Sequence, residues 1–411
     1  MTTTAPVRAA ASSRGRAARR LAVELVPPLL VALLILPFVI AHGSFWPWRP
    51  STIDLEVYVY AVKDMLAGKD IYATTTPFWE LYFIYPPIAA VLMVPLAFGP
   101  YAMWQVVWTA VLILAQQSVL RRCGVPRGWR LGLIGAAVVL AMEPIRTTLG
   151  YGQVNTMLMA LVVADLLPDA PGERRRIPQG TLIGLAAAVK LTPALFVLFA
   201  FSIGKVRLAV TAMVAFVAFT AVGAIFLWQE TLAFWFGLSG GDTRTASPLY
   251  TGNQSLLGVF FRLSGSSVTT TVLGLAAAGI VALLAVVVAA HWWRRGERVF
   301  AVALVGLATC LASPLSWTHH YVWILPMGVA VFRPRLPRWA RGLAGFWVLW
   351  VCACLPLAVL PYAGNRERFY TVGQQIVANL GPALGVALVV GLTWQLISRS
   401  RSRLQAAAVS A

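Results

Sequence analysis

Side chains suited to acid–base chemistry stand in short polar breaks between long apolar runs. Asp54 begins the run DLEVYVYAVKDMLAGKDIY, just after the first stretch long enough to cross a bilayer, and YPP follows at residues 85–87. His319 and His320 adjoin each other in SPLSWTHHYVW. A carboxylate can serve as a general base, and a histidine can carry a proton or donate a hydrogen bond. Asp54 and the histidine pair are therefore the first candidates for catalysis.

Each of these charged candidates also has a purely structural explanation. Asp54 precedes residues at helical spacing, where Asp is a favoured N-cap. Glu143 and Arg146 are three residues apart and can pair with each other on one helix face. Lys190 has no obvious local partner, so it can bind an anionic head group or simply extend its ammonium group towards the membrane surface. The sequence leaves both readings open at each position.

Further polar side chains fall in two motifs that are expected on the same side of the membrane as Asp54. GYGQVN at residues 150–155 contains Gln153 and Asn155, and GNQS at residues 252–255 contains Asn253, with Arg262 after it. Amides of this kind can bind sugar hydroxyls, or they can satisfy backbone groups at a turn.

The composition indicates an integral membrane protein. Of the 411 residues, 59% are hydrophobic and 11% are charged, with a mean hydropathy of +0.76, whereas soluble domains are about 45–50% apolar. The net charge of +19 does not indicate a nucleic-acid partner, because the basic residues cluster in short loops and in the two tails. The first apolar run, 21–42, exceeds the roughly 7–15 residues of a signal-peptide core, which favours a retained span over a cleaved signal.

The basic clusters orient the chain, since cytoplasmic loops are enriched in Lys and Arg. They predict a disordered basic cytoplasmic tail at 1–20, one polytopic catalytic domain at 21–397 and a cytoplasmic tail at 398–411. The expected long extracytoplasmic loops are 43–100, 229–267 and 362–375. The clusters lie near residues 14–20, 121–130, 174–176, 205–207, 294–298, 333–341 and 399–403.

An all-α polytopic fold with about ten to twelve spans follows from the apolar runs of near 20 residues. Residues 181–200 are flanked by basic clusters on both sides, and Pro193 disfavours helix at Thr192, so a broken or re-entrant pair meeting near Lys190 is expected. A further helix, lying in the membrane interface and stopping at Gly68, is predicted in the first loop. The full spans are expected near 21–42, 101–120, 130–146, 152–168, 206–228, 268–291, 299–312, 318–333, 339–361 and 376–397.

Several enzyme classes are not supported by the motifs. The four cysteines show neither zinc-ligand spacing nor a disulfide framework. The sequence has no phosphate-binding P-loop and no dinucleotide-binding glycine fingerprint. An enzyme of this design must find its activated substrate in the membrane, and we expect no cofactor.

Six motifs in a fixed order resemble a known family, the glycosyltransferases of family 87 from actinobacterial envelopes, which have the multi-span GT-C fold. Within that family the chain is similar to the polyprenyl-phosphate-mannose-dependent α-1,2-mannosyltransferases that act on phosphatidylinositol mannosides or lipomannan. The resemblance covers roughly residues 50–335. The motifs are DLEVYVY from Asp54, FIYPPIAAVLMVPL from Phe83, GYGQVN from Gly150, GLAAAVKLTP from Gly184, GNQS from Gly252 and SPLSWTHHYVW from Ser313.

The resemblance implies transfer of mannose, with inversion, from polyprenyl-phosphate-mannose to a membrane glycolipid at the extracytoplasmic face of the plasma membrane. Asp54 matches the family's catalytic aspartate and His319 and His320 match its histidine pair. The leaving phosphate is already a stable anion, so this chemistry needs no general acid and requires no metal, although Asp54 and the two histidines could in principle form a metal site. We expect His319 to act with Asp54 in catalysis. The expected phosphate- or substrate-binding residues are Lys190, Arg262, His320, Gln153, Asn155, Asn253, Glu143, Arg146 and Tyr85.

Two other functions fit parts of the pattern. Relatives with the same motifs transfer arabinofuranose from a decaprenyl-phosphate donor. A lipid-linked sugar flippase is the alternative from another class, but it predicts charges near mid-membrane and often an internal repeat, and we find no repeat in the sequence.

Overall fold

The computed structural model describes residues 5–40, 52–77, 79–168, 176–237, 247–362 and 364–410. Within these ranges the chain is helical and contains no strand beyond an isolated antiparallel bridge between Thr75 and Tyr82. The predicted all-α class is confirmed. Residues 43–51 and 238–246 of the expected extracytoplasmic loops, and residues 174–175 of one basic cluster, lie outside the described residues.

The α-helices are numbered here in chain order. They are α1 Ala5–Ile40, α2 Ile53–Leu66, α3 Pro87–Leu92, α4 Tyr101–Arg122, α5 Trp129–Ala141, α6 Glu143–Tyr151, α7 Asn155–Leu166, α8 Thr181–Val189, α9 Leu195–Ser202, α10 Val206–Phe226, α11 Trp228–Leu232, α12 Leu256–Ser264, α13 Val268–Arg294, α14 Arg298–Ala312, α15 Ile324–Ala330, α16 Arg338–Ala353, α17 Leu355–Val359 and α18 Val372–Ser410. Short 3₁₀ helices occur at Val94–Ala97, Thr192–Ala194, Thr318–Trp323 and Arg366–Phe369.

Several helices are long and apolar enough to cross a bilayer, so the chain is a multi-pass membrane protein. In the described residues five stretches meet this test, α4, α10, α13, α18 and the pair α16–α17, and a bent pair, α5 and α6, makes up to six. Shorter apolar helices lie at Asn155–Leu166, Thr192–Ser202 and Arg298–Ala312. The full count of about ten to twelve spans stays a prediction.

The span expected near 130–146 is bent in the structure. Helices α5 and α6 meet at an angle of 80°, and Met142 between them has an extended backbone. Pro144 explains the bend, because its missing N–H and its ring end the preceding helix but are tolerated in the first turn of the next one. The bend turns α6 and its acidic first residue, Glu143, away from the axis of α5.

The expected break near Lys190 is confirmed. Helix α8 ends at Val189, Lys190 has an extended backbone with φ −152° and ψ 129°, and a 3₁₀ turn containing Pro193 leads into α9. Irregular backbone between apolar helices is tolerated where it borders protein or a wet cavity. The break places Lys190 between two helix ends.

Both predicted tails run into helices. Helix α1 begins at Ala5 and α18 continues to Ser410, so the structure does not show residues 5–20 as disordered or a boundary at residue 398. The physical reason is composition, since Ala and Arg, which dominate both segments, are strong helix formers. The charge pattern identified these segments as basic but did not predict their backbone.

Helix α2 in the first loop ends at Leu66, and Gly68 follows with φ +71°, as its spacing and glycine predicted. Leu55 is fully buried and lies against Gly152, where an added Cβ would come within 2.6 Å of the Leu55 Cβ. The Thr52 N–H donates to the Gly150 carbonyl at 2.7 Å. The turn between α6 and α7 thus fixes the start of α2, and with it Asp54.

Candidate active site

A cavity of about 1250 Å³ opens beside the start of α2. It is larger than the 300–1000 Å³ typical of small-molecule pockets, so it has room for more than one substrate group. Its wall combines segments that are far apart in the sequence. The lining residues with polar side chains include Asp54, Tyr82, Tyr85, Glu143, Thr147, Tyr151, Gln153, Lys190, Thr192, Tyr250, Trp317, Thr318, His319, His320, Cys354 and Tyr362.

Asp54 is not the N-cap of α2. The cap position is Thr52, whose side chain makes no capping bond, and the helix begins at Ile53, so Asp54 lies inside the first turn. Its Oδ2 atom is buried and accepts no hydrogen bond from the described residues. Because Thr52 occupies the cap position, capping does not explain Asp54. Buried carboxylate oxygens normally have hydrogen-bond partners, and Asp54 lines a cavity where a substrate group can supply one.

Gln153 orients the Asp54 carboxylate. Its Oε1 accepts hydrogen bonds from Tyr58 at 2.8 Å, from Tyr85 at 2.7 Å and from the Val154 N–H at 2.9 Å. With three donors on the oxygen, the amide nitrogen is directed elsewhere, and it donates to Asp54. Gln153 therefore positions the carboxylate, and Tyr85 contributes through its hydrogen bond to Gln153. Both residues were expected at the site.

Burial raises the pKa of Asp54 from its ordinary value of 3.8 to about 7. The positive charge of Lys190 and the hydrogen bond from Gln153 act in the opposite direction. An aspartate with a pKa near neutral pH accepts a proton far more readily than an ordinary surface carboxylate. This is the electrostatic property that a general base needs.

Lys190 connects the break after α8 to the histidine pair. Its Nζ lies 2.9 Å from Asn155 Oδ1 and 3.1 Å from His320 Nε2, and 5.6 Å above the Tyr85 ring. An ammonium group can only donate, so His320 Nε2 accepts this bond. Lys190 thus has partners at long range where none was visible locally, and its charge lies on the cavity wall.

His319 is held by its backbone, which leaves its ring available. Its carbonyl accepts hydrogen bonds from Thr148 Oγ1 at 3.1 Å and from Asn155 Nδ2 at 2.9 Å. The ring packs edge-on against Tyr151 and His320, and Nε2 is buried without a hydrogen-bond partner in the described chain. A buried, unpaired ring nitrogen on a cavity wall is suited to contact a substrate.

Comparison with known proteins identifies the family of this chain. The sequence profile of Glycosyltransferase family 87 matches residues 83–314. This chain belongs to glycosyltransferase family 87. The family is of the GT-C type, in agreement with the helical membrane fold. Its membership makes the protein a glycosyltransferase and places the cavity in an enzyme.

Curated relatives match this family 87 enzyme over most of its length. A polyprenol-phosphate-mannose-dependent alpha-(1-2)-phosphatidylinositol mannoside mannosyltransferase of Mycobacterium tuberculosis is 30% identical over 84% of this chain and 87% of its own. A phosphatidylinositol pentamannoside mannosyltransferase with the same stated dependence, from another strain of that species, is 32% identical over 96% of this chain and 93% of its own. No solved structure matches the chain significantly.

Four of the expected binding residues of the family 87 enzyme are not in the cavity lining, namely Asn155, Arg146, Arg262 and Asn253. Arg262 is buried, where it donates to Asn379 Oδ1 at 2.8 Å and to the Asn253 carbonyl at 2.7 Å. Asn253 in turn accepts from the Ser316 N–H at 2.9 Å and donates to the Pro314 carbonyl at 3.3 Å. The expected direct contact of Arg262 and Asn253 with the substrate is therefore corrected. Arg262 is bound by Asn379 on α18, and Asn253 supports the segment that precedes His319.

The acidic residue at the bend gives the family 87 enzyme a second carboxylate on the cavity. Glu143 Oε1 accepts from Thr147 Oγ1 at 2.7 Å and from Thr318 Oγ1 at 3.1 Å. Arg146, expected as its neighbour at the site, donates to the Leu140 carbonyl at 2.9 Å and does not line the cavity. The structure therefore brings Glu143 but not Arg146 to the site.

Sequence reasoning missed several residues around these groups. Tyr58 is fully buried and supports Gln153, and its spacing four residues after Asp54 on one helix face was the available signal. Thr318 binds Glu143 and directly precedes the histidine pair. The aromatic residues Tyr250 and Tyr362 of the lining lie outside the motifs, whereas Tyr151 lies within GYGQVN but was not singled out.

The arrangement of side chains does not assemble a metal site from Asp54 and the two histidines. In the described part of the chain no group of three or more His, Cys, Asp or Glu side chains is placed to hold a metal ion. A positive charge that acts on Asp54 comes instead from Lys190.

Proposed function

We propose that this glycosyltransferase transfers mannose from polyprenyl-phosphate-mannose to a hydroxyl of a mannosylated glycolipid of the phosphatidylinositol mannoside or lipomannan type, forming an α-1,2 linkage with inversion. One observation carries the proposal: a buried, unpaired Asp54 oxygen and the Lys190 ammonium share one cavity. The names of the relatives support the donor and the acceptor class. They give no support to an arabinose donor.

Asp54 is the proposed base. Its Oδ2 takes the proton of the acceptor hydroxyl as the hydroxyl oxygen attacks the anomeric carbon of the donor mannose. The bond between that carbon and the phosphate oxygen breaks on the opposite side, and its electron pair leaves with the polyprenyl phosphate. Gln153 keeps the carboxylate in one orientation during this step.

Lys190 is proposed to stabilise the departing phosphate. Negative charge builds up on the phosphate oxygen as the bond breaks, and a fixed cation in a cavity shielded from water stabilises that charge more than it stabilises the ground state. Asn155 and His320 hold the ammonium group in place. The free Nε2 of His319 is the proposed second contact to the donor, through its phosphate or its sugar.

The site is proposed to face the extracytoplasmic side, with both termini in the cytoplasm. Helix α4 supports this orientation. Its first residue, Tyr101, bonds Thr52 at 2.9 Å beside the start of α2, while Arg121 and Arg122 occupy its last turn. A helix of 22 residues spans about 33 Å, so the cavity and the basic cluster lie at opposite ends of a membrane-spanning helix, as the positive-inside rule requires.

The test measures transfer of labelled mannose from polyprenyl-phosphate-mannose to an extracted glycolipid pool by purified protein in vesicles. Asp54→Asn keeps the shape of the side chain but cannot take the proton, and we expect the rate to fall about 10²–10⁴-fold. Asp64→Asn is the matched control, since Asp64 is a buried carboxylate on the same helix that does not line the cavity. It should keep the wild-type rate.

Two results would overturn the proposal. A transfer rate in Asp54→Asn within a few-fold of wild type would exclude Asp54 as the base. Wild-type protein that moves the labelled donor across the vesicle membrane without consuming it would be a flippase.

A further inference from the structure

We propose that Glu143, together with the aromatic side chains of Tyr250, Trp317 and Tyr362, forms the subsite that binds the terminal sugar of the acceptor. The ligand class is a neutral hexose with free hydroxyls, carried on a membrane glycolipid. The inference rests on the proposed function, which requires an acceptor sugar in the cavity but does not say where it binds.

Glu143 has an unfilled hydrogen-bonding position. The residue is only 3% exposed and lines the cavity, yet its Oε2 accepts no hydrogen bond by distance and angle from the described residues. The thiol of Cys354 lies beside the carboxylate, but a thiol is a weak donor. A buried carboxylate oxygen is costly unless strong donors satisfy it. Sugar hydroxyls are such donors.

The positions of Glu143 and Lys190 separate the two substrates. The Lys190 ammonium group attracts the anionic phosphate of the donor, whereas the carboxyl oxygens of Glu143 accept hydrogen bonds from neutral hydroxyls. The two residues also contact the same 3₁₀ helix at different positions, because Glu143 bonds Thr318 and Lys190 bonds His320. With three residues per turn, side chains two residues apart point in clearly different directions. Lys190 therefore lies on the donor side of His319 and Glu143 on the acceptor side.

Aromatic rings complete the proposed subsite. The Tyr250 ring lies 5.5 Å from the Trp317 ring and 5.6 Å from the Tyr362 ring, measured between centroids, and all three residues line the cavity. Aromatic side chains offer an apolar face together with a polar edge. A hexose has the complementary surface, with apolar C–H faces and a rim of hydroxyls. A carboxylate for the hydroxyls beside rings for the C–H faces therefore fits a hexose.

The subsite explains how one hydroxyl reaches the base. If Glu143 binds hydroxyls of the terminal sugar and the rings hold its face, the sugar cannot rotate freely, and a single remaining hydroxyl is presented to Asp54 across the same cavity. Holding the reacting group in this way supplies much of the rate advantage of an enzyme. Glu143 would then bind the acceptor and set its orientation without taking part in the proton transfer.

The experiment measures steady-state transfer at saturating donor while the acceptor glycolipid is varied, and then the reverse. For Glu143→Gln we expect the KM for the acceptor to rise about 10- to 100-fold, because one hydrogen bond to a charged group is lost. The KM for the donor should change less than about 2-fold. Tyr362→Leu, at a half-exposed position, should also raise the acceptor KM. Glu297→Gln is the matched control, because Glu297 is a buried carboxylate outside the cavity lining.

A binding readout separates this inference from the proposed function. Labelled phosphatidylinositol mannoside should bind Asp54→Asn protein, which turns over slowly, and should bind the Asp54→Asn, Glu143→Gln double variant about 10- to 100-fold more weakly. If wild type transfers mannose but Glu143→Gln leaves the acceptor KM unchanged, or raises only the donor KM, the subsite is refuted while the proposed function stands. If wild type transfers nothing, the proposed function fails, and equal binding by the single and double variants would refute the subsite as well.

Discussion

The pH dependence of transfer tests the electrostatics of Asp54 directly. The base must be ionised to accept a proton, and burial raises the pKa of Asp54 to about 7. At pH 6 only about one tenth of the molecules then carry the ionised form and at pH 7 about one half, so kcat/KM for the donor should rise about 5-fold between pH 6 and pH 7. An aspartate with the ordinary pKa of 3.8 would give a flat profile across this range.

Lys190 determines the midpoint of the pH profile of transfer. Its positive charge lowers the pKa of Asp54, and an opposite charge close to a carboxylate typically shifts the pKa by about 1–3 units. In Lys190→Met the midpoint of the profile should therefore move up by about one unit or more. At pH 7 the ionised fraction would fall from about one half to about one tenth or less. The loss of phosphate binding lowers the whole curve but does not move its midpoint.

The assay is kcat/KM for polyprenyl-phosphate-mannose between about pH 5.5 and 8.5, where the phosphodiester of the donor does not titrate. Lys63→Met is the control, since Lys63 is an exposed lysine on the same helix as Asp54, and its midpoint should match wild type. A flat wild-type profile, or the same midpoint in Lys190→Met, would refute the assigned electrostatics of the pair.

Two further predictions concern the packing of the site and its charge balance. Gly152→Ala should lower transfer at least about 10-fold with the donor KM little changed, because Gly152 has φ +69° and an added Cβ would push Leu55 and the Asp54 turn away. Gly345→Ala, in a helix with open space around the added Cβ, should retain the wild-type rate. Transfer should also persist in excess chelator if Lys190 provides the positive charge for the departing phosphate; loss that added Mg²⁺ or Mn²⁺ restores would show that a metal shares this role.

Local patterns in the sequence predicted the elements that depend on local rules. The helix after Asp54 and its stop at Gly68 follow from apolar spacing and a glycine, and the break at Lys190 follows from Pro193. The bend at Met142 rests on the same proline rule, yet it was missed because the apolar run before Glu143 was extended across Pro144 as one span. Hydropathy alone does not distinguish a straight span from a bent pair.

The partners of the site residues could not be predicted in this way. Lys190 lies between Asn155 and His320, and Gln153 takes hydrogen bonds from Tyr58 and Tyr85. These residues come from segments that are far apart in the sequence, so only tertiary packing decides which of them meet. Tertiary packing also excludes Arg262 from the site, because its guanidinium group donates to Asn379 on α18.

The way the site is held explains why its reactive atoms remain available. Thr148 and Asn155 bind the carbonyl of His319 rather than its ring, and Gln153 takes its other hydrogen bonds from tyrosines and from the backbone. Position is thus fixed without using the functional atoms. Among the buried atoms that lack a hydrogen-bond partner in the described residues are Oδ2 of Asp54, Oε2 of Glu143 and Nε2 of His319, and all three residues line one cavity. These atoms come from separate segments and converge on one cavity, where a polar ligand can complete their hydrogen bonding.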